Sequence, residues 1–418
     1  MHGDEVANDE EARRLMSAGP SSTDLAPRGM DGYRRVVLLI GVAAAAVALL
    51  AGSAQARTPK VFFGIDQGGF VTEADYQLMH TIKVRTVRLT INWSKVEPDP
   101  GVYHWDGVNA GNVDAKVAAL ARNGIAPAFS VYGAPKWATG SGNSAVPPVE
   151  GGALQDWKTF LQKAVQRYKE GGGYWRAHPE LTPRPAKSWQ IWNEPNLPKY
   201  FAKPDSNPVR SYPQAPKAYG KLVKASDQAI HAADPYAKLV LAGMTGQPKG
   251  ESQTAASFIT KVLRVKGVKR HFDVAALHPY GPRIKDYKSR ISQFRNALNK
   301  HGAEKKPIWL TEVGWGSGNN AQPLNKGMRG QVSMLQKSFK LTLENRKKWK
   351  VGRLYWFDWR DPEPGTRALC TFCPSAGLLK HDGSHKPSYN RFKRFSTAQG
   401  RSGRHHRHRH HHHHHRRR

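Results

Sequence analysis

The chain has 418 residues, 39% of them apolar and 10% aromatic, which supplies a substantial core and excludes global disorder. Sixty-five lysines and arginines stand against 32 aspartates and glutamates, a net charge of +33 that normally signals contact with something acidic. Two cysteines exclude a disulfide-dense scaffold.

Residues 1–29 are polar and rich in Gly, Ser, Pro and Asp, the composition of a disordered extension. Arg34 and Arg35 then precede an uncharged run from Val36 to Ala56 that closes on Ala54-Gln55-Ala56. A basic flank, an apolar stretch and a small-residue exit make residues 30–56 an expected signal peptide. The same run is just long enough for an uncleaved membrane anchor, and only that reading gives the protein membrane contact. Either way the body is expected to be secreted or held at the cell surface.

From residue 57 to 400, short β-rich runs alternate with longer helical patterns, the order of βα units on a parallel sheet. Eight runs read as strands: Val61–Ile65, Thr86–Ile91, Ala126–Val131, Ser188–Trp192, Lys238–Ala242, Phe272–Leu277, Pro307–Leu310 and Arg353–Phe357. Helical patterns lie at Val113–Arg122, Leu154–Glu170, Tyr219–Ala232, Ala255–Leu263, Tyr287–Lys300 and Met328–Asn345, and Pro387 starts a closing helix. This count predicts an α/β fold, a single (β/α)8 barrel domain over 57–400. A doubly wound open sheet is the competing architecture. It is disfavoured because no G-x-G-x-x-G follows the first strand and no G-x-x-x-x-G-K occurs. No cofactor is expected. Residues 401–418 form a His/Arg-rich tail, read as disordered and without a catalytic part; without its seven arginines the body still carries about +28.

In such a barrel the chemistry gathers where strands end and loops begin. Here those ends carry Arg88 and Trp93, Asn193-Glu194, His278 and Tyr280, Glu312, and Trp356. Glu194 and Glu312, at the fourth and seventh strands, face one another across a single mouth. Two carboxyls in one pocket can divide labour, one a neutral acid and the other an ionised nucleophile. Cleavage of a glycosidic bond needs that division.

Trp189-Gln190-Ile191-Trp192-Asn193-Glu194-Pro195-Asn196 resembles the strand-four Asn-Glu-Pro signature of retaining glycoside hydrolases built on (β/α)8 barrels. Ile308-Trp309-Leu310-Thr311-Glu312-Val313-Gly314-Trp315 is similar to their strand-seven nucleophile segment, and Trp93-Ser94-Lys95-Val96-Glu97-Pro98 to the loop after strand two. The likeness spans residues 61–395 and is nearest to families 39 and 5. Ser130-Val131-Tyr132 at strand three, where family 5 members usually place a His, favours the family 39-like reading. The resemblance implies that Glu194 is the acid/base and Glu312 the nucleophile. It also implies that Asn193 binds the sugar 2-hydroxyl and that Arg88 lies beside Glu312 and keeps it ionised. Tyr280 would donate to the same carboxylate and His278 would face the sugar. Trp356 would form the apolar floor under the ring, followed by a cis peptide bond, with Trp93 and Trp315 further substrate contacts. Strict alternation sends Asn193 and Glu194 to opposite faces, so the strand end must twist or bulge for both to serve.

Cys370 and Cys373 have half the spacing of a zinc site but no second pair, so no metal is expected and a local disulfide is. No basic helix or RNA-binding aromatic signature accompanies the charge, which argues against nucleic acid. The expected partner is a polysaccharide or oligosaccharide; an acidic glycan or an anionic envelope would account for the charge, and a charge that serves solubility or the cell surface without bearing on the substrate is the competing reading. The function read from the sequence is a retaining glycoside hydrolase acting on an extracellular glycan by double displacement. The alternative is a non-catalytic protein that binds an acidic polysaccharide or an anionic envelope.

Overall fold

The structure, a computed structural model, describes residues 58–109, 111–204, 212–246, 253–366 and 370–400. The expected extension at 1–29, the export segment 30–56 and the tail 401–418 lie outside the described residues.

Eight parallel strands close into a barrel in chain order: β1 (Phe63–Asp66), β2 (Thr86–Asn92), β3 (Ala126–Tyr132), β4 (Ser188–Ile191), β5 (Lys238–Thr245), β6 (Val274–His278), β7 (Ile308–Val313) and β8 (Val351–Phe357). β1 pairs with β8 to complete the ring, with Ile65 opposite Trp356. These strands are buried on both faces, which is why they read as short apolar runs rather than as alternating patterns. The barrel interior packs small residues (Ala128, Val240, Val274, Ala276) against Trp309 and Tyr355. Gly64 belongs to this fit: a Cβ there would lie 2.6 Å from the Tyr355 ring.

Eleven helices are found among the described residues: α1 (Glu73–Thr81), α2 (Trp93–Val96), α3 (Val113–Arg122), α4 (Lys136–Thr139), α5 (Ala153–Tyr168), α6 (Gly173–Ala177), α7 (Ala215–Ala233), α8 (Ala255–Leu263), α9 (Ile284–Lys300), α10 (Gly327–Trp349) and α11 (Pro387–Ala398). Helix α5 shows why the sequence folds so. Trp157, Phe160, Leu161, Ala164, Val165 and Tyr168 recur at helical spacing and form one buried stripe. Each large side chain so buried is worth about 1.5–3 kcal/mol. Helix α1 has a weaker stripe, Tyr76 and Met79, and escaped the sequence reading. Its start is fixed by a capping box, in which Thr72 and Asp75 each accept from the other's backbone N–H. No described helix is long and apolar enough to cross a membrane.

Candidate active site

The site is built upward from Arg88, a fully interior cation on β2. Its Nε donates to Gln190 Oε1 at 2.6 Å, and its Nη1 to Asp66 Oδ1 at 2.8 Å and Glu312 Oε1 at 2.9 Å. Nη2 donates to Asn193 Oδ1 at 3.0 Å and Ser130 Oγ at 3.2 Å. A buried guanidinium is tolerable only when its donors and its charge are both met, and here five acceptors on or just after four strands, β1, β3, β4 and β7, do so. Arg88 stays charged: burial opposes this, and Asp66 and Glu312 overcome it. Burial pushes Asp66 well above the usual carboxylate range although Arg88 pulls the other way.

Glu194 follows β4 through an unusual backbone. Trp192 has φ +73° and Glu194 φ +40°, a left-handed region that non-glycine residues seldom occupy. These two turns break the alternation and bring Asn193 and Glu194 to the same mouth, as the sequence required. The loop is anchored on β5, where Glu194 N–H donates to Gly243 C=O and Asn196 holds Thr245 through both its backbone N–H and its C=O. Trp192 is locked by packing on Trp157 and Phe201 and by Nε1 donating to Tyr200 C=O. Burial raises the Glu194 carboxyl to about 7.

His278 lies beneath the carboxylates. Its Nδ1 is 2.9 Å from Glu194 Oε1 and 3.4 Å from Glu312 Oε2, and its Nε2 is 3.0 Å from Thr311 Oγ1. Burial lowers its pKa to about 4, so the ring is neutral. The surroundings favour one tautomer: carboxyl oxygens of Glu194 and Glu312 face Nδ1, while Nε2 faces the Thr311 hydroxyl, which can donate to it. The proton then sits on Nδ1 and points at Glu194. A Cβ at Gly243 would overlap this imidazole, so glycine makes room for it. Glu312, on β7, accepts from Arg88 and from the Tyr280 hydroxyl at 2.9 Å. One donor atom from each of Glu194, His278 and Glu312 lies within 4.8 Å of the others. Such a trio could ligate a metal in principle. Here each member is already engaged by protein groups, and the charge of Glu312 is met by Arg88.

Above the carboxyls opens a cleft of about 1090 Å³. Of the residues singled out in the sequence, Arg88, Asn193, Glu194, Tyr280, Glu312, Cys370 and Cys373 line it. Tyr132, whose role was open, does too. The two cysteines form the expected disulfide, and Phe372 between them packs on Tyr280 at 5.2 Å.

Four expected contacts are corrected. Trp93 is buried, because β2 ends at Asn92 and α2 turns the indole outward onto Trp137 and Trp157, with Nε1 donating to Glu97. Trp315 packs under its loop, Nε1 donating to Gly281 C=O. Trp356 faces the helix layer against Phe339 and Trp315; pleat alternation sends Phe357 into the cleft instead. The cis peptide bond is Phe357–Asp358, one residue beyond the expected place. His278 is fully buried and orients Glu194 rather than facing the cleft. Asp66, Gln190 and Phe357 were missed. Gln190 stands inside the strand-four signature and could have been found there; Asp66 has no motif around it.

Residues 182–389 match the family model described as "Glycosyl hydrolase catalytic core". Solved structures similar in fold include a family 39 glycoside hydrolase from Bacteroides cellulosilyticus (20% identity, TM-score 0.57, 81% of this chain and 64% of that one). A family 39 β-xylosidase from Caulobacter crescentus matches at 20% identity and TM-score 0.55, over 81% and 72% of the two chains. A GH5_18 protein from Bifidobacterium longum in complex with Manβ1-4GlcNAc matches at 14% and 0.58, over 80% and 78%. The chain thus spans 64% of the length of the first of these. No curated protein matches it in sequence. The segment that matches the glycosyl hydrolase catalytic core holds both Glu194 and Glu312, and it lies within a closed (β/α)8 barrel.

Proposed function

We propose that the protein hydrolyses O-glycosidic bonds of an extracellular glycan with retention of anomeric configuration. The observation that carries this reading is the closeness of the two carboxyls, with an oxygen of each within 4.8 Å. Retaining sites place the carboxyls about 5–5.5 Å apart, whereas inverting sites need about 6.5–9.5 Å to fit a water between the base and the anomeric carbon. Their environments also divide the labour. Glu194, raised to about 7 by burial, holds a proton near neutrality and delivers it to the leaving oxygen. Glu312, aimed by Arg88 and Tyr280, attacks the anomeric carbon and forms a glycosyl ester. The C–O bond to the leaving group breaks as the ester bond forms. Glu194, now ionised, takes a proton from water, and that water's oxygen displaces Glu312. Asn193 gives its Oδ1 to Arg88, which leaves its amide N–H₂ to meet the sugar 2-hydroxyl. Phe357 supplies the apolar face beneath the ring. The extracellular setting rests on the export segment read at residues 30–56.

The test is a panel of aryl glycosides followed by NMR of the first-formed product. Retention supports double displacement and inversion contradicts it. Binding of oligosaccharides with no turnover of any glycoside would favour the non-catalytic alternative.

A further inference from the structure

The charged residues that line the cleft are sorted by depth. Asp66, Glu194 and Glu312 all belong to the floor, and each is engaged there by Arg88 or His278. Beyond the floor the described lining residues that carry charge are Lys95, Lys116 and Arg290, every one of them positive. Lys95 follows β2 and Lys116 stands in the first turns of α3, while Arg290 reaches in from α9 on another wall. A Cβ on Gly281 would lie 2.8 Å from Arg290 Nη1, so the guanidinium lies against a backbone that itself lines the cleft.

Lys116 is the informative one. It is half-buried, and its amine lies over Gly111, 3.5 Å from where a Cβ would stand. No carboxylate or carbonyl among the described residues pairs with it, and burial alone lowers its pKa. Half-burying an ammonium costs free energy that a neutral sugar, readily served by Asn, Gln or Tyr, would not return. An anionic substituent on the substrate would return it. The cleft, at about 1090 Å³, falls at the upper end of small-molecule pockets and has room for such a substituent beside the ring being cleaved.

We propose that the substrate is a glycan bearing carboxylate or sulfate groups, one of which is held by Lys116, with Lys95 and Arg290 adding positive charge elsewhere on the cleft walls. This rests on the glycosidase reading and narrows its substrate class. The net charge of +33 then speeds encounter with a polyanion, and the cleft supplies the selectivity.

The test is calorimetric binding at 0.15 M salt to the full chain carrying Glu312→Gln, so that hydrolysis plays no part in the readout. The probes are oligogalacturonate and hyaluronan oligosaccharides for the carboxylate arm, and a sulfated dextran oligosaccharide for the sulfate arm. Cellohexaose and unmodified dextran of equal length are the neutral counterparts. At least one acidic probe should bind more tightly than its neutral counterpart. Adding Lys116→Ala should weaken that probe at least tenfold, Lys116→Arg should restore most of the loss, and neutral probes should shift less than twofold. Lys337→Ala, which removes the same charge from the exposed face of α10, should change affinity less than twofold. Equal losses in Lys116→Ala and Lys337→Ala, or no acidic probe outbinding its neutral counterpart, would overturn the proposal. Turnover of neutral aryl glycosides by the unaltered protein is read separately, so loss of the glycosidase reading is distinguishable from loss of this one.

Discussion

Arg88 and Glu312 stand on β2 and β7, strands that do not pair, and meet at 2.9 Å inside the mouth of the barrel. The same Nη1 holds Asp66 at 2.8 Å, so one guanidinium ties β1, β2 and β7 together under the reacting centre. Its fork also fixes Asn193 and Gln190, and through Gln190 and Thr311 it reaches His278.

Arg88→Lys keeps the charge but cannot serve five acceptors from one planar group. It is expected to lower kcat/KM by about a hundredfold or more, since a carboxylate misplaced by about 1 Å costs that much. Arg88→Ala leaves the buried Asp66 and the partly buried Glu312 without their cation and should cost about 3–5 kcal/mol in urea unfolding. A lysine variant within threefold of the unaltered enzyme would remove Arg88 from its positioning role.

The Glu194 carboxyl, raised to about 7 by burial, sets an alkaline limb. The general acid must be protonated, so kcat/KM should fall as pH rises through about 7. Stability has the matching sign. A carboxyl whose pKa is higher folded than unfolded binds more protons in the folded state, so it weakens the fold as pH rises from about 4.5 to 7. Glu194→Gln should therefore gain stability over the unaltered protein between pH 5 and pH 8, by up to about 2–3 kcal/mol. Thermal unfolding at both pH values measures it; an unchanged difference between the two proteins contradicts the buried-acid assignment.

Glu194→Ala should separate substrates by leaving group. Aryl glycosides with activated leaving groups need no proton and should lose little in the first step; alkyl or sugar leaving groups should lose about 10²–10⁴-fold. Azide should restore turnover of the activated substrates and yield a glycosyl azide of unchanged configuration. Equal losses on both substrate types would contradict the acid role.

The strands were legible because a barrel strand is apolar on both faces, and the two glutamates because each sits in a strand-end signature. What was not legible depends on register and on chain reversal. The sequence does not tell whether Trp356 or Phe357 enters the mouth, since deciding between neighbours needs the pleat. The β7–β8 register also slips between Leu310 and Val313, which sequence does not display. The same holds for Trp93, because nothing in Asn92-Trp93 announces that a helical turn begins there. Asp66 is a lone aspartate closing a strand. It acquires meaning only from Arg88, 22 residues on, and from Glu312 on β7, two strands away around the ring.

The exchange of roles between Trp356 and Phe357 is itself testable. Phe357→Ala should raise KM several-fold, because the ring lines the cleft. Trp356→Ala should cost about 3–5 kcal/mol of stability, because it empties a packed site between Phe339 and Trp315. Steady-state kinetics and urea midpoints on the two variants distinguish the assignments; a KM effect confined to Trp356→Ala would restore the indole as the sugar platform.

The central claim is that Glu312 forms the covalent bond and Glu194 moves the proton. The most direct measurement is inactivation with a 2-deoxy-2-fluoro aryl glycoside carrying an activated leaving group, followed by proteolysis and peptide mass mapping. The glycosyl label is predicted on Glu312 alone, with one equivalent per chain and slow release on adding an acceptor. A label on Glu194 or on any other residue would contradict the account.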